Sequence, residues 1–365
     1  MKVLIVDDSR IFRSAVERSL KGAEDVRVIG SVHNGVKALE FIRRQRPDLV
    51  TLDVEMPEMD GLETLSAIQA INADEETKRP IGTIMLSAQT HKGAETTIKA
   101  LEMGAFDFVT KPRSKGADEG IQILRRQLLA KTRYFQSRTI SSKRPAAPPT
   151  LADAGPTRNK TGTTNTASSS SIAQFGAIVI GVSTGGPQAL ANMLPQLCEH
   201  TNLPIFIAQH MPPTFTECLA NSLNARCSAT VTEGQDLATV QSNHVTIVPG
   251  GKQMELRRRG ARVYTVLDQP MSDNACLTSV DVLFRSAATV YHENVLALIL
   301  TGMGADGTEG IRALKRAGAY VIAQDEASSV VWGMPGSAVQ SGNVDQVVSL
   351  KEMPQTVADV LQQHA

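Results

Sequence analysis

The string "GVSTGGP" sets one serine, Ser183, among three glycines just past the apolar run "FGAIVI". It satisfies G-x-S-x-G, the nucleophile-elbow pattern, in which small neighbours let the chain turn sharply and let a substrate carbonyl approach. A phosphate-gripping loop needs Lys then Ser or Thr after its last glycine, and Pro-Gln stands there instead. A dinucleotide fingerprint needs G-x-G-x-x-G and an acidic residue about 20 positions on at a strand end, and this stretch offers neither. Taken alone, Gly and Ser in this pattern also make ordinary turns. A serine nucleophile needs a base, and the base needs an orienting group. Among the histidines, His210 directly follows the apolar run "LPIFIAQ" and precedes "MPP", which places it at a second strand end. The stretch "VLALILTGMGADGTEG" carries Asp306 in a glycine-rich turn after a third apolar run. Asp306 reads equally well as a helix N-cap. The same turn offers backbone N–H groups around Met303 that could stabilise an oxyanion. α/β-Hydrolases run Ser, acid, His, which would need Asp281 and His292 from the helical "SVDVLFRSAATVYHEN". The order Ser183, His210, Asp306 is the better reading and implies a separate esterase lineage.

A second constellation lies near the N-terminus. Asp7 and Asp8 follow "KVLIV", Asp53 ends "LVTLD", Ser87 ends "GTIMLS" and Lys111 follows "FDFVT". Singly, such residues are turn chemistry or surface loop. Together at successive strand ends they gather three carboxylates, a hydroxyl and an ammonium on one rim. The carboxylates repel unless a cation joins them, and a hard divalent ion such as Mg²⁺ suits oxygen ligands. That ion and Lys111 could neutralise a phosphoryl group transferred to a carboxylate, with Ser87 hydrogen-bonding a phosphoryl oxygen.

Both constellations require sheets that bring strand ends together. Residues 1–136 alternate "KVLIV", "VRVIGSV", "LVTLD", "GTIMLS" and "FDFVT" with helical patterns such as "SRIFRSAVERSLK" and "GVKALEFIRRQ". Residues 173–365 repeat the alternation with "AIVIGV", "PIFIAQ", "HVTIVP", "VLALILT" and "YVIAQD". Apolar strands separated by helices predict two α/β domains, each a doubly wound, mainly parallel sheet, with chemistry at the strands' carboxyl ends. The "RRRGARVY" region reads as a hairpin insertion. Residues 137–172 are rich in Ser, Thr, Pro, Ala and Asn and nearly empty of large apolar side chains. Such a stretch cannot offset its ordering entropy and reads as a flexible tether, with a regulatory segment as the alternative.

The bulk numbers agree. A chain of 365 residues suits two domains, and 42% hydrophobic against 20% charged residues suits well-cored ones. A formal net charge of zero gives nothing to attract nucleic acid or an anionic membrane. Cys198, Cys218, Cys227 and Cys276 form no CxxC pair and read as buried free thiols. "MKVLIVDDSR" turns acidic at once, unlike a signal peptide, and no apolar run reaches the roughly 20 residues of a membrane span. A cytoplasmic protein without membrane insertion is expected.

The motifs "VDD", "LDVEMPEMDG", "LSA" and "KP" make residues 1–125 resemble a response-regulator receiver domain, a flavodoxin-like fold. The resemblance implies that Asp53 takes phosphate from a histidine kinase. It implies Mg²⁺ held by Asp7, Asp8, Asp53 and the Glu55 backbone carbonyl, with Ser87 and Lys111 reading the phosphorylated state. Phe108 stands where such domains place a switch aromatic, and a half-buried strand aromatic is the alternative. The motifs "GVSTGGP", "AQHMP", "LTGMGADG" and "VVWGMPG" resemble the catalytic domain of chemotaxis protein-glutamate methylesterases, over roughly residues 173–360. That resemblance implies Ser183 as nucleophile, His210 as base then acid, Asp306 as its orienting carboxylate and the Met303 N–H in the oxyanion hole. Thr184 would support Ser183 or the substrate. The implied activity is phosphorylation-activated hydrolysis of glutamyl methyl esters on chemoreceptors, with glutamine deamidation, and no cofactor at the esterase site. The resting receiver would cover the esterase rim. A non-catalytic phosphorylation-dependent binding module, an esterase for another substrate and a DNA-binding regulator are the rival readings, the last weakened by the neutral charge.

Overall fold

The apolar runs become strands buried on both faces, as parallel sheets between helix layers require. A computed structural model describes residues 1–74, 79–112, 117–141, 175–268 and 278–364. The N-terminal elements are β1 (Lys2–Val6), α1 (Arg10–Leu20), β2 (Arg27–Val32), α2 (Gly35–Arg44), β3 (Leu49–Asp53), α3 (Gly61–Ala73), β4 (Gly82–Ser87), α4 (His91–Glu102), β5 (Asp107–Thr110) and α5 (Ala117–Ser141). Side-chain caps begin most of these helices, with Ser9 opening α1, Asn34 α2, Thr90 α4, and an Asp60–Glu63 capping box opening α3. The sheet is parallel in the order β2-β1-β3-β4-β5.

The C-terminal elements are β6 (Ala177–Val182), α6 (Gly186–His200), β7 (Ile205–Gln209), α7 (Phe215–Asn224), β8 (Thr230–Glu233), β9 (His244–Ile247), β10 (Gln253–Arg259), β11 (Arg262–Asp268), α8 (Val280–Tyr291), β12 (Val295–Ile299), α9 (Thr308–Arg316), β13 (Tyr320–Gln324), α10 (Met334–Gln340), β14 (Gln346–Val348) and α11 (Met353–Gln363). Seven strands pair in parallel in the order β14-β13-β12-β6-β7-β9-β8. The expected hairpin insertion is β10–β11, antiparallel and tied to α8 where Leu256 N–H donates to Ser286 Oγ at 3.0 Å.

Two expectations shift. Helix α5 continues to Ser141, past the expected start of the tether at 137, and the rest of the tether to 172 lies outside the described residues, as does Cys276. Cys227 is half-buried, not buried like Cys198 and Cys218. No described helix is long and apolar enough to cross a membrane.

In each sheet the strand order reverses once, and at such a point the loops diverge and leave a crevice at the carboxyl ends. The first crevice lies between β1 and β3, the second between β6 and β12. The two domains pack through α4 and β5 on one side and α6, α7 and the Ser183 loop on the other. The Phe108 ring stacks on Phe215 with centroids 4.6 Å apart. Glu102 accepts from Ser222 Oγ at 2.6 Å and pairs with Arg226. Asp107 accepts from Thr184 Oγ1 at 2.7 Å and pairs with Lys131 at 2.6 Å. Phe215 is fully buried, and truncating such a ring costs about 3–5 kcal/mol. Phe215→Ala is therefore expected to lower the urea midpoint of the C-terminal domain, read by the fluorescence of Trp332, the only tryptophan in the sequence. An unchanged midpoint would show that the ring is not packed as described.

Candidate active site

Ser183 follows β6 and is held by its backbone on both sides. Its N–H donates to the Thr301 carbonyl at 3.0 Å, and its carbonyl accepts from Gly186 N–H at 2.8 Å. Gly185 takes φ +80°, the left-handed region that turns the loop into α6 and that favours glycine. Gly302, past the end of β12, comes so close that a Cβ there would sit 2.8 Å from the Ser183 Cβ. The nucleophile candidate thus stands in the second crevice, 9% exposed.

His210 arrives from the adjacent β7, its N–H donating to the Val182 carbonyl at 3.1 Å. Its Nε2 lies 2.7 Å from Asp306 Oδ2. No hydrogen bond joins Ser183 Oγ to His210 among the described residues. Catalytic contacts are often long without substrate; the structure pairs His210 with Asp306 and sets Ser183 at the end of the adjoining strand.

Asp306 caps helix amides, as one reading allowed, but those of a helix it does not precede, beside Ser279, the N-cap of α8. It precedes α9, yet its oxygens reach the start of α8. Oδ2 accepts from Val280 N–H at 2.8 Å, and Oδ1 accepts from Asp281 N–H at 3.1 Å and Ser279 Oγ at 3.2 Å. Asp281 Oδ1 reciprocates, accepting from Gly310 N–H of α9 at 2.7 Å. Burial pushes the Asp306 pKa up, but the His210 hydrogen bond and charge and the two helix N–H groups outweigh it and hold the carboxyl below its ordinary value. The carboxylate is therefore charged and aimed at the imidazole. The hydrolase-order alternative fails, since Asp281 and His292 sit at opposite ends of α8, roughly 16 Å apart at 1.5 Å per residue.

The Gly302 carbonyl accepts from Gly333 N–H at 3.0 Å and Met334 N–H at 2.9 Å. Across a trans peptide the Met303 N–H must point the other way, and it donates to no acceptor among the described residues. Thr184 is 7% exposed and its hydroxyl is committed to Asp107 of the N-terminal domain.

In the first crevice Asp7, Asp8 and Asp53 each bring a carboxylate oxygen within 4.8 Å of the others. Lys111 Nζ bridges Asp7 and Asp53, 2.8 Å from each. Burial pushes Asp53 up to about 6, with Asp7 adding to the rise and Lys111 and Val54 N–H opposing it. Burial alone would lower the Lys111 pKa, but Asp53 and Asp7 raise it above its ordinary value. Ser87 is turned toward α4, its Oγ donating to the Gly93 carbonyl at 3.2 Å and accepting from Thr97 Oγ1 at 2.7 Å. Glu55 is exposed, with Lys92 3.4 Å from its carboxylate. Phe108 is buried at 7% exposure against Phe215, tighter than a half-buried strand aromatic. The sequence reading missed Asp107, Gln209 and the α8 amides. A polar residue closing an apolar strand was the available signal for Gln209.

Residues 178–357 match the family model for CheB methylesterase, and residues 3–120 match that for the response regulator receiver domain. A protein-glutamate methylesterase/protein-glutamine glutaminase of Desulfotalea psychrophila is 40% identical over 360 residues, 98% of this chain and 97% of that one. Its namesake in Trichodesmium erythraeum is 39% identical over 357 residues, again 98% and 97%. The crystal structure of the Thermotoga maritima CheB methylesterase catalytic domain is 36% identical, covers 51% of this chain and 99% of that one, and gives a TM-score of 0.49.

The raised Asp53 pKa has a stability consequence. Between its unfolded value of 3.8 and about 6 the folded chain binds the extra proton, so stability falls as pH rises through that window. In metal-free buffer Asp53→Asn is expected to be more stable than wild type at pH 7.5 (about 1.4 kcal/mol per pKa unit at most), and the difference is expected to vanish below pH ~4. Thermal unfolding across pH checks this, and a gap that grows as pH falls would contradict it.

Proposed function

The chain belongs to the protein-glutamate methylesterase/protein-glutamine glutaminase family, and we propose that Ser183, His210 and Asp306 carry that hydrolysis under control of Asp53. The observation that carries the reading is the His210–Asp306 pair at 2.7 Å beside Ser183 in the crevice between β6 and β12. Asp306 binds Nε2, which leaves Nδ1 as the base. His210 takes the proton of Ser183 Oγ as the oxygen attacks the γ-carbonyl of a glutamyl methyl ester. The oxyanion is received by the Met303 N–H, and Thr184 supports the loop. The imidazolium returns its proton to the departing methoxide, and methanol leaves. Water, deprotonated by His210, then hydrolyses the glutamyl-enzyme and releases the carboxylate. A glutamine side chain follows the same path with ammonia leaving. The substrates are glutamyl groups on chemoreceptors.

Domains at residues 1–136 and 173–365, joined by a tether, fit this division of labour. Asp53 is the phosphate acceptor and a histidine kinase the donor. Asp7, Asp8, Asp53 and the Glu55 carbonyl would hold Mg²⁺, which offsets negative charge on the incoming phosphoryl group; the three-carboxylate cluster with a single lysine suits such an ion. Lys111 and Ser87 read the phosphorylated state, and Phe108 is the switch aromatic. The resting receiver covers the esterase rim, a reading supported by the Thr184–Asp107 contact and by the low exposure of Ser183.

Methanol release from methylated receptor membranes tests this. Ser183→Ala is expected to abolish turnover. Asp306→Asn is expected to lower kcat by about 10³- to 10⁴-fold, since an amide facing the α8 N–H groups turns its own NH₂ toward the imidazole and selects the wrong tautomer. Asp53→Asn is expected to remove the response to a small-molecule phosphodonor while leaving basal turnover. Full turnover in Ser183→Ala would exclude the triad.

A further inference from the structure

Gln209 closes β7 one residue before His210 and is 1% exposed. A buried carboxamide needs partners, and the pattern of those it has is informative. Its Nε2 donates to the Ser183 carbonyl at 2.9 Å and to the His210 carbonyl at 3.3 Å. Its Oε1 accepts no hydrogen bond among the described residues. The amide cannot be flipped, because that would set an oxygen against two carbonyl oxygens. Space for it is made by the last glycine of "GVSTGGP": a Cβ on Gly186 would lie 1.9 Å from Gln209 Oε1. Gly186 has no positive φ, so the backbone does not demand glycine there. The glutamine does.

The consequence lies one bond further on. The Ser183 carbonyl is pinned by Gly186 N–H and Gln209 Nε2, so the N–H across the same trans peptide, that of Thr184, points the opposite way. It donates to no acceptor among the described residues. Met303 N–H is presented in the same manner, by a carbonyl pinned at Gly302. Gln324, fully buried at the end of β13, braces the other side: its Oε1 accepts from Thr301 N–H at 2.8 Å, and the Thr301 carbonyl takes Ser183 N–H.

We infer that Gln209 is a positioning residue for the esterase, locking the Ser183–Thr184 peptide so that Thr184 N–H and Met303 N–H face one oxyanion. This rests on the esterase reading of Ser183.

Two isosteric variants test it by methanol release. Gln209→Met keeps the volume and removes the donor; kcat is expected to fall about 10²-fold, the scale for misplacing a catalytic group by about 1 Å, with KM nearly unchanged. Gln209→Glu keeps one donor while protonated and loses it on ionising. Its kcat is expected to fall relative to wild type as pH rises, adding an alkaline limb that loss of packing would not produce. Gly186→Ala should lower kcat by displacing the amide and should add nothing to Gln209→Met in the double variant. A Gln209→Met kcat within twofold of wild type overturns the proposal. Should that variant not fold, a Gln209→Glu profile parallel to wild type overturns it equally. Wild-type turnover that Ser183→Ala abolishes keeps the esterase reading intact in either case.

Discussion

A carboxylate largely removed from water stays charged only if donors fill its lone pairs. Asp306 meets that condition by borrowing the first turn of α8, together with Ser279 and the His210 imidazole. The positive end of the helix and its unpaired N–H groups suit an anion, so the carboxylate is both held and kept ionised. Asp281 returns the contact to α9, and the two helices lock the turn between them. The glycine-rich loop from Gly302 to Gly307 inherits its position from this exchange, and with it the Met303 N–H. Loosening the exchange would disturb the His210 ring and the Met303 N–H at once.

The two crevices face related problems with opposite solutions. At β1 and β3 carboxylates are crowded and Lys111 bridges two of them; burial, helped by the Asp7 charge, raises Asp53 to about 6 against the pull of the lysine. At β6 and β12 a single carboxylate is given surplus donors. The first arrangement suits a site awaiting a further cation; the second is complete. Strand β5 links them. Lys111 follows its carboxyl end, while Asp107 at its other end holds Thr184, roughly 13 Å away at 3.3 Å per residue. Phe108 between them packs on Phe215. A change at the acidic cluster therefore has one short, buried strand through which to reach the residue beside Ser183.

Much of this was legible beforehand because buried parallel strands are written as unbroken apolar runs. The strands from "KVLIV" to "YVIAQD" stand within two residues of where those runs place them. β8 and β14 were not legible: "TVTE" and "QVV" are short edge segments, half exposed, with little periodicity to read. The hairpin was readable from its turn, "RRRGAR". Asp306 was ambiguous for a physical reason, since a residue before a helix usually caps that helix, and α9 is instead entered through Gly307 with φ +96°. The glycines of "GVSTGGP" also divided their tasks invisibly. Gly185 supplies a left-handed turn, whereas Gly186 supplies room for a side chain from another strand.

The amino-acid sequence by itself determined which residue types end which strands, and so the serine, histidine and aspartate of one rim and the acids and lysine of the other. That follows from local physics: strand burial, turn chemistry and the placement of chemistry at carboxyl ends. Only the tertiary structure decided which helix Asp306 caps, why Gln209 is buried, and that Thr184 is tied to Asp107 of the neighbouring domain. Those contacts join residues 26 to 77 positions apart, and no local pattern encodes a hydrogen bond whose partners meet only when two sheets are wound and two domains are packed.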